Sequence, residues 1–178
     1  LVVRPCVADL SPGSAETGAT AAPNSILTLP EASFAELEPV DVTVRQARDI
    51  SGSLVTFYVF GSDTLFDTGS SQLRSTAQPA LAGAVASIRQ RFASATIVVR
   101  GHTDSTGAAA ANVKLSTARA QAVAARLGEL GLAGSHLTTV GLGSSVPAAL
   151  ETNPDGSVND LGRQLNRRVE VVVVQPVP

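Results

Sequence analysis

The 178-residue chain has no methionine, no tryptophan and a single tyrosine, and aromatic residues make up only 3% of it. Hydrophobic residues nevertheless reach 44%, so its core must be built from Ala, Val and Leu. One cysteine, Cys6, excludes an internal disulfide. It follows Val3-Arg4-Pro5, not the small residues that precede a lipid-modified cysteine. The missing methionine reads as a processed chain or a piece of a longer one, so the absence of a leader segment carries no information. No apolar run approaches the roughly 20 residues that a membrane-spanning helix needs. Lys114 is the only lysine, and 13 basic against 15 acidic residues give a net charge of −2. That balance removes the electrostatic case for nucleic acid.

What is present becomes regular only past residue 53. Residues 1–25 are rich in Pro, Gly, Ala, Ser and Thr, most clearly over 11–24, and read as a linker or a loosely packed arm. Val40, Val42 and Val44 alternate with polar positions, the period of a strand, either an addition to the main domain or a remnant of another. Leu54–Phe60 is dense in β-branched and aromatic types, and after a turn at Gly61-Ser62-Asp63 the extended run continues over Leu65-Phe66-Asp67. Leu73, Ala77, Leu81, Val85, Ile88 and Phe92 fall on one helical face, with Pro79 suited to the first turn. Thr96–Arg100 is a short central strand. Leu115, Ala122, Val123, Leu127 and Leu130 line a second helix that Gly131 stops. Leu137–Val140 is a third core strand, residues 141–165 are a long loop with room for a short helical turn, and Val169–Val174 suits a buried final strand. The expected architecture is an α/β (α+β) sandwich, a mixed sheet with helices on one face in the order β-α-β-α-β-β. A domain over 54–178 is preceded by a less regular extension, 1–53, with room for one or two added strands.

The chemistry concentrates where the central strand ends. Gly101-His102-Thr103-Asp104-Ser105-Thr106-Gly107 is a glycine-bounded loop at a strand end, the position where α/β sheets usually hold ligands. Arg119 is expected early in the following helix, where free N–H groups and the dipole favour an anion. A carboxylate on the loop and a guanidinium on the helix suit a ligand with both an ammonium and a carboxylate, such as a free amino-acid end. Charge-assisted bonds of that kind are about twice as strong as neutral ones. Thr103 and Asn112 offer neutral hydrogen bonds, and Arg167 and Arg168 add positive charge if the fold brings them to the same edge. Other readings stay open. Asp104 and Arg119 can simply pair and fix the loop. Asn112 or Ser116 can serve as a helix cap. Arg167-Arg168 can be a solvated strand end. An enzyme would draw on His102, Asp104 and Ser105, but three neighbours on one loop rarely aim at one another, and a triad is a matter of geometry. A metal would have His102 and Asp104 and would have to recruit His136 from elsewhere; no spacing matches a zinc site. The Gly-Lys-Ser/Thr of a phosphate loop is missing. Catalytic residues, metals and cofactors are therefore not expected.

Gly101-His102-Thr103-Asp104-Ser105-Thr106-Gly107 together with Asn112-x-x-Leu115-Ser116-x-x-Arg119-Ala120 resembles the signature of OmpA-like C-terminal domains. Leu137-Thr138-Thr139-Val140-Gly141-x-Gly143, Gly162-Arg163 and Asn166-Arg167-Arg168-Val169-Glu170 fit the same family, as do Leu65-Phe66-Asp67 and Leu73. The resemblance spans about residues 54–174. It implies non-catalytic, non-covalent binding of peptidoglycan through the diaminopimelate of the stem peptide, by a module that anchors a protein in the bacterial cell envelope. It further implies that Asp104 and Arg119 hold the amino-acid end, with Thr103, Asn112 and Arg167 in support. The competing expectation is an assembly module in which the same fold docks an envelope protein or dimerises and glycan binding is weak. Two departures stand out. Thr68-Gly69-Ser70 replaces the asparagine that some members carry after Phe-Asp, and the loop 151–160 is long. Residues 1–53 lie outside the resemblance.

Overall fold

A computed structural model of the chain describes residues 42–92, 95–132 and 137–175. Cys6, the 1–25 arm, Val40 and His136 lie outside the described residues. In chain order the elements are strand β1 (Val42–Arg48), strand β2 (Leu54–Gly61), the single turn α1 (Ser62–Leu65) and a 3-10 turn over Ser75–Ala77. Helix α2 (Gln78–Arg91), strand β3 (Thr96–His102), helix α3 (Ala109–Leu127), strand β4 (Leu137–Gly143), helix α4 (Asp160–Asn166) and strand β5 (Arg168–Gln175) follow. The five strands form one sheet in the order β1-β2-β5-β3-β4. Only the β3–β4 pair is parallel. The mixed sheet with helices on one face agrees with the architecture expected from the sequence. Of the alternating valines, Val42 and Val44 lie in an edge strand of this same sheet, paired to β2 from Val42↔Phe60 to Arg48↔Leu54.

The last strand in the chain is the central one in space. Val169, Val171 and Val173 are fully buried toward the helices, and Val172 is buried on the opposite face, which is why β5 reads as a nearly unbroken apolar run. Tyr58 and Phe60 of β2, Ile97 and Val99 of β3, Leu81, Val85 and Ile88 of α2, and Val123 and Leu127 of α3 join the inner valines in one core.

Four local expectations need correction. Leu65-Phe66 does not extend β2. The β2–β5 ladder ends at Gly61↔Arg168, so a longer strand would have no partner, and the chain instead turns through α1 to bury Leu65 and Phe66. Leu73 and Ala77 precede α2: Leu73 bridges to Phe66, and Ala77 lies in the 3-10 turn. Pro79 does sit in the first turn of α2. β4 is an edge strand with Thr138, Thr139 and Val140 exposed, not a core strand. On α3 the buried stripe is rotated from the apolar one: Asn112, Ser116, Arg119, Ala120, Val123, Ala124 and Leu127 face inward, and Leu115 does not.

That rotation follows from two glycines. A Cβ on Gly101 of β3 would collide with the Ser116 carbonyl, and one on Gly141 of β4 would collide with the backbone and hydroxyl of Thr117. Helix α3 therefore lies directly on bare backbone of the two parallel strands. The Ser116 hydroxyl completes the contact by accepting the Gly143 N–H at 2.9 Å and donating to the Val113 carbonyl.

The first residues of β5 carry a second polar anchor. Arg168 Nε donates to Glu170 at 2.8 Å, and its other nitrogens reach the carbonyls of Asn166 and Val146. His102 Nε2 stands 3.5 Å from the other oxygen of Glu170, an electrostatic contact and not a well-formed hydrogen bond. Burial alone would raise the Glu170 carboxyl, but its partners Arg168 and His102 outweigh that and hold it at about 2.

Two outcomes are expected. Gly101→Ala should lower stability by about 1–3 kcal/mol, the usual cost of overpacking, seen as a lower denaturant midpoint; an unchanged midpoint would refute the close docking of α3. For Glu170, the folded pKa lies below the unfolded one, so its contribution is complete above the ordinary glutamate range and is lost as pH falls toward 2. Glu170→Gln should flatten stability against pH between about 4.5 and 2, measured by denaturation at a series of pH values.

Candidate functional site

The loop that leaves β3 is held from several sides. Thr103 N–H donates to the Gly143 carbonyl at 2.9 Å, tying the loop to the end of β4. Asn112 Nδ2 donates to the carbonyls of Asp104 and Thr106 at 3.3 and 3.0 Å. Gly107, at φ 88°, makes the left-handed turn that leads into α3. Asn112 is thus a clasp on the loop and not a helix cap. The cap position is Ala108, with no side-chain bond, and Ser116 lies well inside the helix.

Asp104 presents one oxygen to the Thr106 N–H at 3.1 Å and the other to Arg167 Nη1 at 2.8 Å. Arg167 sits at the α4–β5 junction and is shared, since its Nη2 donates to Asp63 of α1 at 2.7 Å. Burial pushes the Asp104 carboxyl up, but the bonds from Arg167 and Thr106 prevail and hold it below the usual aspartate range. Arg167 is correspondingly raised by the hydrogen bonds it donates to Asp63 and Asp104.

Arg119 is 4% exposed and lies with its guanidinium carbon 5.1 Å from the centre of the Phe66 ring. Its Nε donates to the Ser70 carbonyl at 2.8 Å and its Nη2 reaches the Asp67 carbonyl at 3.4 Å. Among the described residues no carboxylate comes within ion-pair distance of it. Burial lowers its pKa, while Asp63 and Asp104 pull it up and Arg167 pushes it down, so these four groups act on one another. An arginine stays charged under such shifts. The expectation that Arg119 sits near a helix N-terminus does not hold. It lies ten residues past Ala109, the first of α3, roughly 15 Å at 1.5 Å per residue, beyond the first-turn reach of the dipole.

The structure therefore brings Thr103, Asp104, Asn112, Arg119 and Arg167 to one place, while Arg168, buried with Glu170, is separated from them. Asp104 pairs with Arg167 and leaves Arg119 for something else. Thr103 is 5% exposed and its hydroxyl has no partner. Asp63 was missed in the sequence because Gly61-Ser62-Asp63 looks like any turn. Phe66 reads in the sequence as part of an extended run, and nothing there marks it as the ring under Arg119. Two acids and two arginines make the cluster neutral overall but polarised, with an acidic side at Asp104 and Asp63 and a cationic point at Arg119. Among the described residues no three His, Cys, Asp or Glu side chains gather as a metal site would require.

Comparison with known proteins bears on this geometry. The chain is 38% identical over 128 residues to the photosystem I P700 chlorophyll a apoprotein A2 of Gloeobacter violaceus, covering 72% of this chain and 14% of that protein. It is 46% identical over 79 residues to the peptidoglycan-binding protein ArfA of Mycobacterium tuberculosis, covering 44% of this chain and 22% of ArfA. The chain thus spans less than a quarter of the length of either relative. Among solved structures, the cell wall anchor of the T6SS from Pseudomonas aeruginosa aligns with a TM-score of 0.61 at 29% identity, over 76% of this chain and 88% of that one. Residues 65–160 match the sequence pattern of the OmpA family. That stretch is 96 of the 178 residues (65 to 160 inclusive), and it carries Asp104, Asn112 and Arg119. The chain belongs to the OmpA family.

Proposed function

We propose that residues 54–178 bind bacterial peptidoglycan non-covalently through the diaminopimelate of its stem peptide and so anchor an envelope protein to the cell wall. The observation that carries the reading is the unpaired Arg119 guanidinium beside an Asp104 carboxylate that is already oriented. The free end of diaminopimelate has an ammonium and a carboxylate on one carbon. Its carboxylate meets Arg119, which Phe66 and two backbone carbonyls hold in position. Its ammonium meets Asp104, and the unpartnered Thr103 hydroxyl is available for a further hydrogen bond. The two charge-assisted contacts form without the Arg167–Asp104 pair having to break first, because each Asp104 oxygen accepts one hydrogen bond in the free site and keeps a second lone pair. The names of ArfA and of the T6SS anchor support the ligand class, and the charge pattern supports the specific group. On this reading the domain works on the wall side of an envelope membrane. Among the described residues no helix is long and apolar enough to cross a membrane.

A second reading, docking of a partner protein or dimerisation with weak glycan binding, draws on the exposure of Leu150, Val158, Leu161 and Leu165 on the loop and on α4. Co-sedimentation with insoluble wall sacculi separates the two. Asp104→Ala and Arg119→Ala are each expected to reduce binding at least tenfold, on the order of 1.4 kcal/mol or more, with the circular dichroism spectrum retained. Arg119→Lys should not restore it, because a lysine lacks the planar fork that reaches two carbonyls and the ligand together. Because the Asp104 carboxyl is held low, wild-type binding should persist through the ordinary aspartate range and be lost only as pH falls below it. Sedimentation indifferent to both alanine variants would sink the diaminopimelate reading.

A further inference from the structure

Glu151 has no role in the contacts described so far, yet its carboxylate is among the most heavily hydrogen-bonded groups near the site. Its side chain is 14% exposed. Both of its oxygens accept the Ser105 N–H, at 3.0 and 3.1 Å, and one accepts the Ser105 hydroxyl at 2.6 Å. The other accepts Asn166 Nδ2 at 2.7 Å. Arg163 Nε stands 3.7 Å away, a charge partner beyond hydrogen-bond reach.

The two residues it grips have specific neighbours. Ser105 follows Asp104, and Asn166 precedes Arg167. Asn166 is fully buried and fixed in turn, its oxygen accepting the N–H groups of Ala148 and Ala149 and its nitrogen reaching the Ala149 carbonyl. A single carboxylate thus braces both sides of the Asp104–Arg167 pair from behind. Its bonds with Ser105 and Asn166 overcome the cost of burial and of the like charge on Asp104, and hold its pKa below the usual range. Keeping a second acid beside Asp104 is unfavourable in the free protein. A ligand ammonium removes that penalty.

We propose that Glu151 is a positioning residue of the diaminopimelate site, setting where the loop presents Asp104 and adding negative potential on the side that receives the ammonium. The proposal rests on the binding reading above. Without Glu151 the loop samples other positions, and apparent affinity falls by the fraction of time it is misplaced.

Calorimetric titration of the purified chain with meso-diaminopimelate tests this, on wild type, Glu151→Ala, Ser105→Ala and the double variant, with amide exchange followed by NMR. Glu151→Ala is expected to weaken binding about tenfold, the scale of losing a charge-assisted hydrogen bond. Ser105→Ala should weaken it less and add nothing in the Glu151→Ala background, because the hydroxyl acts through the carboxylate. The Ser105 amide should lose exchange protection in Glu151→Ala while the β5 amides keep theirs. A Glu151→Ala variant that loses stability but binds within about twofold of wild type would show a purely structural role and overturn the proposal. So would additive effects of the two substitutions. If Glu151→Ala does not fold, Glu151→Gln serves. It keeps the shape but sets an NH2 group against either Asn166 or Ser105, and wild-type affinity in that variant would overturn the proposal. A wild-type chain that does not bind diaminopimelate fails differently, since all four chains then read alike and the binding reading falls together with the positioning role.

Discussion

The close approach of α3 to β3 and β4 determines most of what the molecule can do. Gly101 and Gly141 leave no side chain between helix and strands, and Ser116 replaces the missing packing with a hydrogen bond to the Gly143 N–H. With the helix docked in that register, its inward stripe consists of Asn112, Ser116 and Arg119 before it becomes apolar at Val123 and Leu127. A stripe of large aliphatic residues there would fill the space where the loop clasp and the guanidinium now sit. Close packing without side chains makes room for polar groups at the end of the sheet, and those groups form the site.

Burying a guanidinium is unfavourable unless its donors are used. Arg119 answers this with backbone carbonyls and an aromatic face in place of a carboxylate. Carbonyl dipoles and a ring quadrupole stabilise the cation without cancelling its charge. Asp104 is treated in the opposite way, receiving a full counter-charge from Arg167, which Asp63 shares. The ion pair fixes the acid, and the dipoles fix the base and leave it attractive to an anion. The asymmetry accounts for a site that is held in shape before any ligand arrives.

Much of this was legible in the sequence. The β-branched and aromatic density over 54–60 and the apolar run over 169–174 mark strands, and the spacing of Leu81, Val85 and Ile88 gives α2 directly. The misreadings share a physical origin. Apolar periodicity located α3 but put its inward face in the wrong rotation, because the buried positions Asn112, Ser116 and Arg119 are polar and a hydrophobic pattern passes over them. Leu65-Phe66 looked extended because composition does not reveal where a partner strand ends. β4 reads as a core strand because Leu137 and Val140 are apolar, although the strand closes the sheet on one side. Asp104 and Arg119 could be named from their loop and motif, whereas Asp63 and Glu151 become neighbours of that loop only through the fold, 41 residues before Asp104 and 47 after it.

The pair Arg167-Arg168 shows how far one residue of register reaches. Two adjacent arginines look interchangeable in sequence, and both offer positive charge to the site. The β5 ladder with β2 begins at Arg168, opposite Gly61, so Arg167 is still outside the strand and its side chain bridges Asp104 and Asp63. Arg168 is inside it and enters the cluster with Glu170 two residues on, as the same-face period of a strand requires. Starting β5 one residue earlier would exchange their surroundings. Asp104 would then face Arg168, and Glu170 would lose its partner. The boundary between α4 and β5 therefore decides which charge serves the site and which serves the fold. Asn166, fully buried and bonded to the loop at Ala148 and Ala149, holds that boundary together with the Arg167 backbone, whose carbonyl accepts the Ser62 N–H and whose N–H donates to the Arg163 carbonyl.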